Sequence, residues 1–156
     1  MRSIWVVLIS EIVLLSTVKA DLIEITVDTD KDVYNMGESV TVYVSAYNPG
    51  FETITLSFAT SSQANYFMDG IFDYSLYIIS VPRCTEVQIA GNDSYTWTLK
   101  HMKDLLSAYP LLQGTHSVVG QVVGYGESGP AQFEVIPEPA TLILLALGSL
   151  LVQRKK

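Results

Sequence analysis

Residues 40–58 read VTVYVSAYNPGFETITLSF, and this stretch decides the fold. Apolar and polar side chains alternate before and after Asn48-Pro49-Gly50, a tripeptide typical of a tight turn. Because successive side chains of a strand point to opposite faces of a sheet, a period of two indicates a half-buried strand. The stretch therefore predicts two such strands, at residues 40–47 and 53–58, joined by a turn.

The same alternation extends outward along the chain. Turn sequences such as Asp69-Gly70, which suits a tight hairpin, separate the alternating segments. Further strands are predicted at residues 23–28, 65–69, 71–76, 85–89, 95–99, 117–123 and 132–136. Many short strands without a long amphipathic helix predict an all-β fold, an antiparallel Ig-like β-sandwich of about eight strands.

The inward-facing positions of these strands form the predicted core. Trp97 is expected to anchor it, because a buried indole contributes a large apolar area. The other expected core residues are Val40, Val42, Val44, Ile54, Leu56, Phe58, Val87, Ile89, Tyr95, Val118 and Val122. Residues 100–108 are expected to form one or two helical turns, and the glycine-rich residues 124–129 a flexible loop.

Charge is distributed unevenly along the chain. Residues 21–136 carry fourteen acidic and four basic side chains, whereas the first 20 and the last 20 residues are both net basic. A strongly acidic domain repels a phosphate backbone, so the composition argues against nucleic-acid binding. Cys84 is the single cysteine, which rules out an internal disulfide and argues against a cysteine-based zinc site.

The first 20 residues have the features of an export signal. Arg2 precedes a run of mostly Val, Ile and Leu, and Val18-Lys19-Ala20 places small residues where a signal peptidase reads the chain. Cleavage is predicted between Ala20 and Asp21. Glu11 interrupts the apolar run, and the alternative interpretation is a buried amphipathic helix of the mature fold.

The last 20 residues combine a Pro-Glu-Pro motif, a short apolar segment at residues 140–152 and a basic chain end. The motif is Pro137, Glu138 and Pro139, and the basic residues are Arg154, Lys155 and Lys156. A helix of thirteen residues spans about 20 Å, less than the ~30 Å hydrocarbon core of a bilayer. The segment therefore predicts a short hydrophobic helix that inserts transiently, with its basic end on the cytoplasmic side.

This order of features resembles the PEP-CTERM sorting domain over residues 136–156. The resemblance implies that signal peptidase and an exosortase-type membrane transpeptidase process the chain, the latter at the Pro-Glu-Pro motif. It further implies an inner-membrane stage before processing and the cell surface or exopolysaccharide matrix afterwards. The alternative is a plain tail anchor with chance prolines. Three regions result: signal peptide 1–20, sandwich 21–136 and sorting tail 137–156.

The middle region has a second resemblance. Residues 30–42, DKDVYNMGESVTV, followed by YNPG at 47–50 and TITLSF at 53–58, resemble the start of a BsuPI-like domain, named for a bacterial intracellular proteinase inhibitor. The resemblance extends over about residues 23–124 and implies an Ig-like sandwich. It makes protease inhibition an alternative function, with candidate loops at residues 48–52, 59–65 and 125–130.

Few side chains are candidates for catalysis or metal binding. His101, His116 and Cys84 are the only histidines and thiol, and no Cys/His signature surrounds them. Asp28, Asp30 and Asp32 have the alternate spacing with which calcium loops begin, but the glycine and the closing glutamate of an EF-hand are missing. A looser calcium site and a solvated strand connection both remain open for this run.

Three functional hypotheses follow. The favoured one is a noncatalytic binding or structural module, exported to the cell surface or the matrix, without a cofactor and with exopolysaccharide or a protease as its partner. The second is an exported proteinase inhibitor of BsuPI-like type. An enzyme is least favoured because the sequence lacks a recognisable catalytic constellation.

Overall fold

The structure, a computed structural model, describes residues 23–101 and 109–138. The described chain forms strands with one short 3-10 helix, Tyr74–Tyr77. In chain order the strands are β1 (Glu24–Thr29), β2 (Val33–Asn35), β3 (Val40–Tyr47), β4 (Ile54–Phe58), β5 (Ala64–Met68), β6 (Phe72–Asp73), β7 (Thr85–Ile89), β8 (Ser94–His101), β9 (Gly114–Val122), β10 (Gly126–Glu127) and β11 (Ala131–Ile136). The prediction of an all-β fold is confirmed.

The strands form two packed sheets and one additional strand pair. The first sheet has the order β1-β3-β8, the second has the order β2-β11-β9-β5-β6 with β10 beside β9, and β4 pairs with β7. All pairs are antiparallel except β2 with β11, which run parallel. The one parallel pair departs from the antiparallel prediction and places β2, near the beginning of the described residues, beside β11.

The core lies between the two sheets. Every second residue of β3, from Val40 to Ala46, is fully buried, while the alternate residues are half-exposed. Across from it, β9 contributes Val118 and Val122, and between them Gly120 leaves room for Val27 and Val44 of the first sheet. A Cβ on Gly120 would lie 3.0 Å from the side chains of both valines, so the sheets approach closely at this glycine.

Most predicted core residues are buried, Ile54 is half-buried and packs against the core, and Tyr95 is exposed. It shares a face of β8 with Trp97, yet it is 41% exposed whereas the indole is buried. Tyr95 is the second residue of the strand and packs its ring edge-to-face against Trp97, with centroids 4.8 Å apart. The core ends at the indole, and Tyr95 covers its outer side.

Two other local predictions need correction. The strand expected at residues 71–76 is shortened to β6, because Asp73 accepts a hydrogen bond from the Ser75 amide and caps the 3-10 helix that follows. The loop expected at residues 124–129 contains β10, which pairs with the end of β9, and the Ser128 amide donates to the Gly120 carbonyl. This segment is therefore a hairpin.

Several predicted features lie outside the described residues. These are the signal segment with Ala20 and Asp21, most of the helical turns expected at residues 100–108, and the tail from Pro139 onward with Arg154, Lys155 and Lys156. Residues 100 and 101 belong to β8. No helix within residues 23–101 and 109–138 is long and apolar enough to cross a membrane.

Candidate functional site

The predicted sorting motif begins directly after a strand that is paired on both sides. β11 lies between β9 and β2 in the second sheet. The Glu134 amide donates to the Asp32 carbonyl at 2.8 Å, and the Met36 amide donates to the Ile136 carbonyl at 2.9 Å. Pro137 follows Ile136 at once, so no flexible linker separates the sheet from the motif.

The β2–β3 loop lies beside the motif. Glu138 shares a shallow depression of about 380 Å³ with Asn35, Met36, Gly37 and Glu38. Gly37 has φ +80°, a conformation that L side chains rarely adopt, and this reverses the chain there. The beginning of the motif therefore lies against the fold.

An ion pair stabilises this loop. Lys31 pairs with Glu38, and the other carboxylate oxygen of Glu38 accepts a hydrogen bond from the Asn35 amide at 3.0 Å. The hydrogen bond from Lys31, and then that from the backbone of Asn35, lower the pKa of Glu38. Lys31 is exposed and Glu38 is half-exposed, so we expect the pair to orient the loop more than to stabilise the fold.

A polar cluster that was not predicted lies at the β5–β6 turn. One carboxylate oxygen of Asp69 lies 2.9 Å from the Tyr109 hydroxyl and 2.6 Å from Nδ1 of His116, and the other accepts from the Ser117 amide at 2.8 Å. Burial raises the pKa of Asp69, but the hydrogen bonds from Ser117, His116 and Tyr109 outweigh it, and the net shift is downward. The carboxylate thus ties the turn to β9 and to residue 109.

The other side of the His116 ring is also occupied. Nε2 lies 2.7 Å from the Leu112 carbonyl oxygen, and the ring stacks on Phe133 with centroids 5.4 Å apart. With a carboxylate at one nitrogen and a carbonyl at the other, the imidazole is enclosed by acceptors from its own fold. This arrangement positions residues 109–116 and leaves neither nitrogen available to a substrate.

His101 is enclosed in a similar way, deeper in the core. Nδ1 lies 2.8 Å from the Tyr66 hydroxyl, and Nε2 lies 3.4 Å from the Tyr109 carbonyl oxygen. Burial lowers the pKa of His101 and favours the neutral ring. Because a carbonyl oxygen can only accept, Nε2 carries the proton, and the Tyr66 hydroxyl then donates to Nδ1. The aromatic rings of Phe72 and Tyr66 pack edge-on against it. His101 is therefore a core residue.

The structure does not bring Cys84 and His116 together. Cys84 is exposed and precedes Thr85, whose hydroxyl binds the side chain of Gln63. The backbone carbonyl of Gln63 accepts a hydrogen bond from the Val123 amide, and Val123 lies just beyond the last residue of β9. His116 is near the first residue of that strand, and the seven residue steps from His116 to Val123 span about 24 Å. A Cys84–His116 pair is therefore not formed.

The acidic run at residues 28–32 connects the two sheets, and its carboxylates do not converge. Asp28 is exposed and accepts from the neighbouring Thr29 amide, while one oxygen of Asp30 accepts from the Tyr34 hydroxyl at 2.7 Å and the Thr41 amide at 2.8 Å. Asp32 is exposed. In residues 23–101 and 109–138, no three His, Cys, Asp or Glu side chains are placed to hold a metal ion together.

The three candidate inhibitor loops share the end of the sandwich opposite the sorting motif, which we term the distal end. Within the loop at residues 48–52, the Asn48 side chain is buried, donates to the Glu52 carbonyl and accepts from the Gly50 amide. Phe51 is 92% exposed beside it. In the loop at 125–130, the Tyr125 hydroxyl accepts from the Ser57 amide at 2.7 Å. Both loops are therefore anchored to the fold.

Comparison with known families gives one match. Residues 135–156 match the model of the PEP-CTERM protein-sorting motif. The motif indicates an exported protein that an exosortase sorts to the cell surface. No curated protein sequence matches the chain.

Comparison with solved structures gives distant similarities in fold. The CARDB domain of a protein from Pyrococcus furiosus is similar in a crystal structure with di-metal ions, at 11% identity and TM-score 0.45, covering 73% of this chain and 87% of that one. Its solution structure gives 10% identity and TM-score 0.47, with 74% and 94% coverage. A β-glucosidase from Listeria innocua in complex with glucose reaches 16% identity and TM-score 0.41, over 72% of this chain and 16% of the enzyme.

Proposed function

We propose that the chain is an exosortase substrate whose sandwich is a noncatalytic binding or structural module of the cell surface or the exopolysaccharide matrix. The observation that carries this proposal is the position of the matched motif. The matched residues 135–156 begin with the last two residues of β11. Within the match, Pro137-Glu138-Pro139 follows the strand at once, the apolar residues 140–152 come next, and a basic cluster stands at the end. Signal peptidase cleaves between Ala20 and Asp21, and the exosortase then acts at Pro137-Glu138-Pro139 while residues 140–152 are in the inner membrane.

The side chains within the described part of the chain support a noncatalytic role. Each ring nitrogen of His101 and His116 faces a group of the fold, and Cys84 is exposed and not paired with His116. A nucleophile, a base and an orienting group within reach of one another would be needed for hydrolysis. The module then acts through its surface, most of all through the distal end, which points away from the tail.

The sorting proposal is tested in cells that produce a cognate exosortase. The precursor of wild type and of Glu138→Ala is followed by mass and by fractionation, with Glu134→Ala as the matched control, since Glu134 is an exposed glutamate of β11. Wild type and Glu134→Ala are expected to lose the tail and reach the surface or the matrix. Glu138→Ala is expected to accumulate uncut in the membrane. Equal processing of all three, or processing without exosortase, would overturn the proposal.

Protease inhibition is a second candidate, favoured by one observation. Phe51 protrudes from a loop that the Asn48 side chain holds from within, and a rigid exposed loop loses little conformational entropy on entering a protease cleft. Tight, stoichiometric inhibition of a protease at micromolar protein, lost in Phe51→Ala, would support this function. Absence of inhibition across a panel of serine and cysteine proteases would leave the binding or structural role.

A further inference from the structure

The tether between the sandwich and the tail is very short. The last residue paired in the sheet is Ile136, and the apolar segment begins at Ala140. Four residue steps span at most about 14 Å even when fully extended. The headgroup layer on each side of a bilayer is about 5–8 Å thick, because the whole bilayer measures 40–45 Å around a 30 Å core. A tail inserted from Ala140 therefore keeps the end of the sandwich at the membrane surface.

We term this region the tail-proximal end and define it by the β2–β3 loop at residues 36–39, the β5–β6 turn at residues 69–71 and residues 109–113. The bonds already described link its parts: the Met36 amide binds Ile136, Asp69 binds His116, and His116 binds the Leu112 carbonyl. β9 begins at Gly114, opposite Val135 of β11. These segments therefore lie around the point at which the chain leaves the fold.

The tail-proximal end carries exposed apolar side chains. Met36 is 42% exposed, Leu112 is 65% exposed and Ile71 is 79% exposed, one from each of the three segments. Of the carboxylates beside them, Glu38 is paired with Lys31, and Asp69 accepts hydrogen bonds from the Tyr109 hydroxyl and the Ser117 amide. Transfer of apolar side chains of this size from water into a lipid interface is favourable.

We propose that the tail-proximal end is a membrane-contact surface of the precursor and that it rests on the phospholipid headgroups with Met36, Leu112 and Ile71 directed at the bilayer. This inference rests on the proposed insertion of residues 140–152. The short tether gives the surface a high effective concentration of lipid, so weak apolar contacts suffice. The acidic sandwich is repelled by anionic lipid, so zwitterionic phospholipid is the expected partner. Glu138 and its depression then lie at the interface, where a membrane peptidase acts.

The experiment uses residues 21–156, the chain expected after signal-peptide cleavage, in phosphatidylcholine vesicles that contain a nitroxide-labelled lipid headgroup, so that flotation reports on the tail and not on the apolar signal segment. Cys84→Ser removes the single thiol, and one cysteine is placed either at Leu112→Cys or at Phe51→Cys and labelled with an environment-sensitive fluorophore. Phe51 is the matched control, because it is also an exposed apolar residue but lies at the distal end. Flotation of the vesicles is measured on the same samples.

A strong loss of fluorescence with a blue shift at position 112, and neither change at position 51, is the expected result. If the chain floats with the vesicles and both labels behave as in water, or if both are quenched equally, the membrane-contact surface is refuted while tail insertion stands. If neither chain floats, the proposed membrane stage itself fails, and the surface proposal falls with it. The two failures are therefore distinguished by flotation.

Discussion

The Met36 amide donates a hydrogen bond of 2.9 Å to the Ile136 carbonyl. This bond continues the parallel ladder of β2 and β11 beyond the last residue pair, Asn35 with Ile136. It fixes the β2–β3 loop against the residue that precedes the Pro-Glu-Pro motif. The sheet consequently fixes the position at which the motif begins, and the stability of that end of the sandwich depends on the residues that hold β2 in place.

Tyr34 is the first of these residues. Its buried ring packs against Phe133, and its hydroxyl donates to Asp30 at 2.7 Å and accepts from the Lys31 amide at 3.0 Å. Tyr34→Phe removes both bonds without changing the ring, so we expect a loss of about 1–3 kcal/mol in the free energy of unfolding. Tyr43→Phe on the half-exposed face of β3 is the control and should change it by less than about 0.5 kcal/mol. Urea denaturation measures both, and equal losses would contradict the role of the Tyr34 hydroxyl.

We expect the free energy of unfolding to depend on the ionisation of Asp69 at acidic pH. Its pKa is lowered in the fold, so its contribution is complete above the unfolded value of about 3.9 and is lost as the pH falls through the lower folded value. Asp69→Asn keeps a residue that tolerates the observed φ of +52° but removes the carboxylate. We expect it to lower the free energy of unfolding at pH 7 by about 1–3 kcal/mol and to flatten the acid limb.

The control for Asp69 is Asp28→Asn. Asp28 is exposed and, within the described part of the chain, its carboxylate accepts from the adjacent Thr29 amide alone, so its replacement should leave the acid limb of the stability curve unchanged. Thermal unfolding followed by circular dichroism between pH 2 and pH 7 measures both variants. An acid limb in Asp69→Asn as steep as in wild type would refute the assignment.

We expect His101 to make the free energy of unfolding depend on pH in a higher range. Burial lowers its pKa, so protonation favours the unfolded chain, and stability is complete above the unfolded value of about 6.5 and falls as the pH drops below it. His101→Gln removes the titrating ring. We therefore expect wild type to lose more stability than His101→Gln between pH 7.5 and pH 5, a range in which Asp69 stays ionised. Equal losses in the two proteins, measured by urea denaturation at both pH values, would exclude His101 as the source.

A substitution at Gly91 tests how closely the backbone is packed at the distal end. A Cβ at this position would lie 2.2 Å from the Phe51 carbonyl oxygen, which is backbone and has little freedom to move. We expect Gly91→Ala to destabilise the fold by at least about 2 kcal/mol, within the range for overpacked sites. Gly129→Ala is the matched control, because nothing lies within 4 Å of its added Cβ. Melting temperatures that fall equally for both variants would show that the observed contact is relieved at low cost.

The sequence predicted the sandwich well where burial depends on alternation alone. The period of β3 placed Val40, Val42 and Val44 in the core because an inward face of a two-sheet fold must be apolar. The same reasoning failed for Tyr95, since alternation gives the face of a residue but not the point along the strand at which the core ends. It also missed β2 and β10, which have three and two residues and too few positions to show a period.

Only the part of the candidate site that is contiguous in sequence could be predicted. The Pro-Glu-Pro motif, the apolar segment and the basic end are contiguous, so their order can be read from the chain. The cluster of Asp69 with Tyr109 and His116 joins residues up to 47 positions apart, and no local pattern marks it. Asp69 alone carried a signal, as the first residue of an Asp-Gly turn, because a carboxylate at positive φ can turn towards neighbouring strands.

By itself, the sequence determined the all-β class of this protein and the motif that marks it for sorting, because strand period and a contiguous motif are properties of neighbouring residues. The tertiary structure decided where the beginning of the motif lies relative to the sheets. Pairing between β2 and β11 brings residues 36 and 136 together, and this contact across a hundred residues leaves no linker before Pro137. Such a contact depends on how the two sheets exchange strands, and that arrangement exists only once the chain has folded.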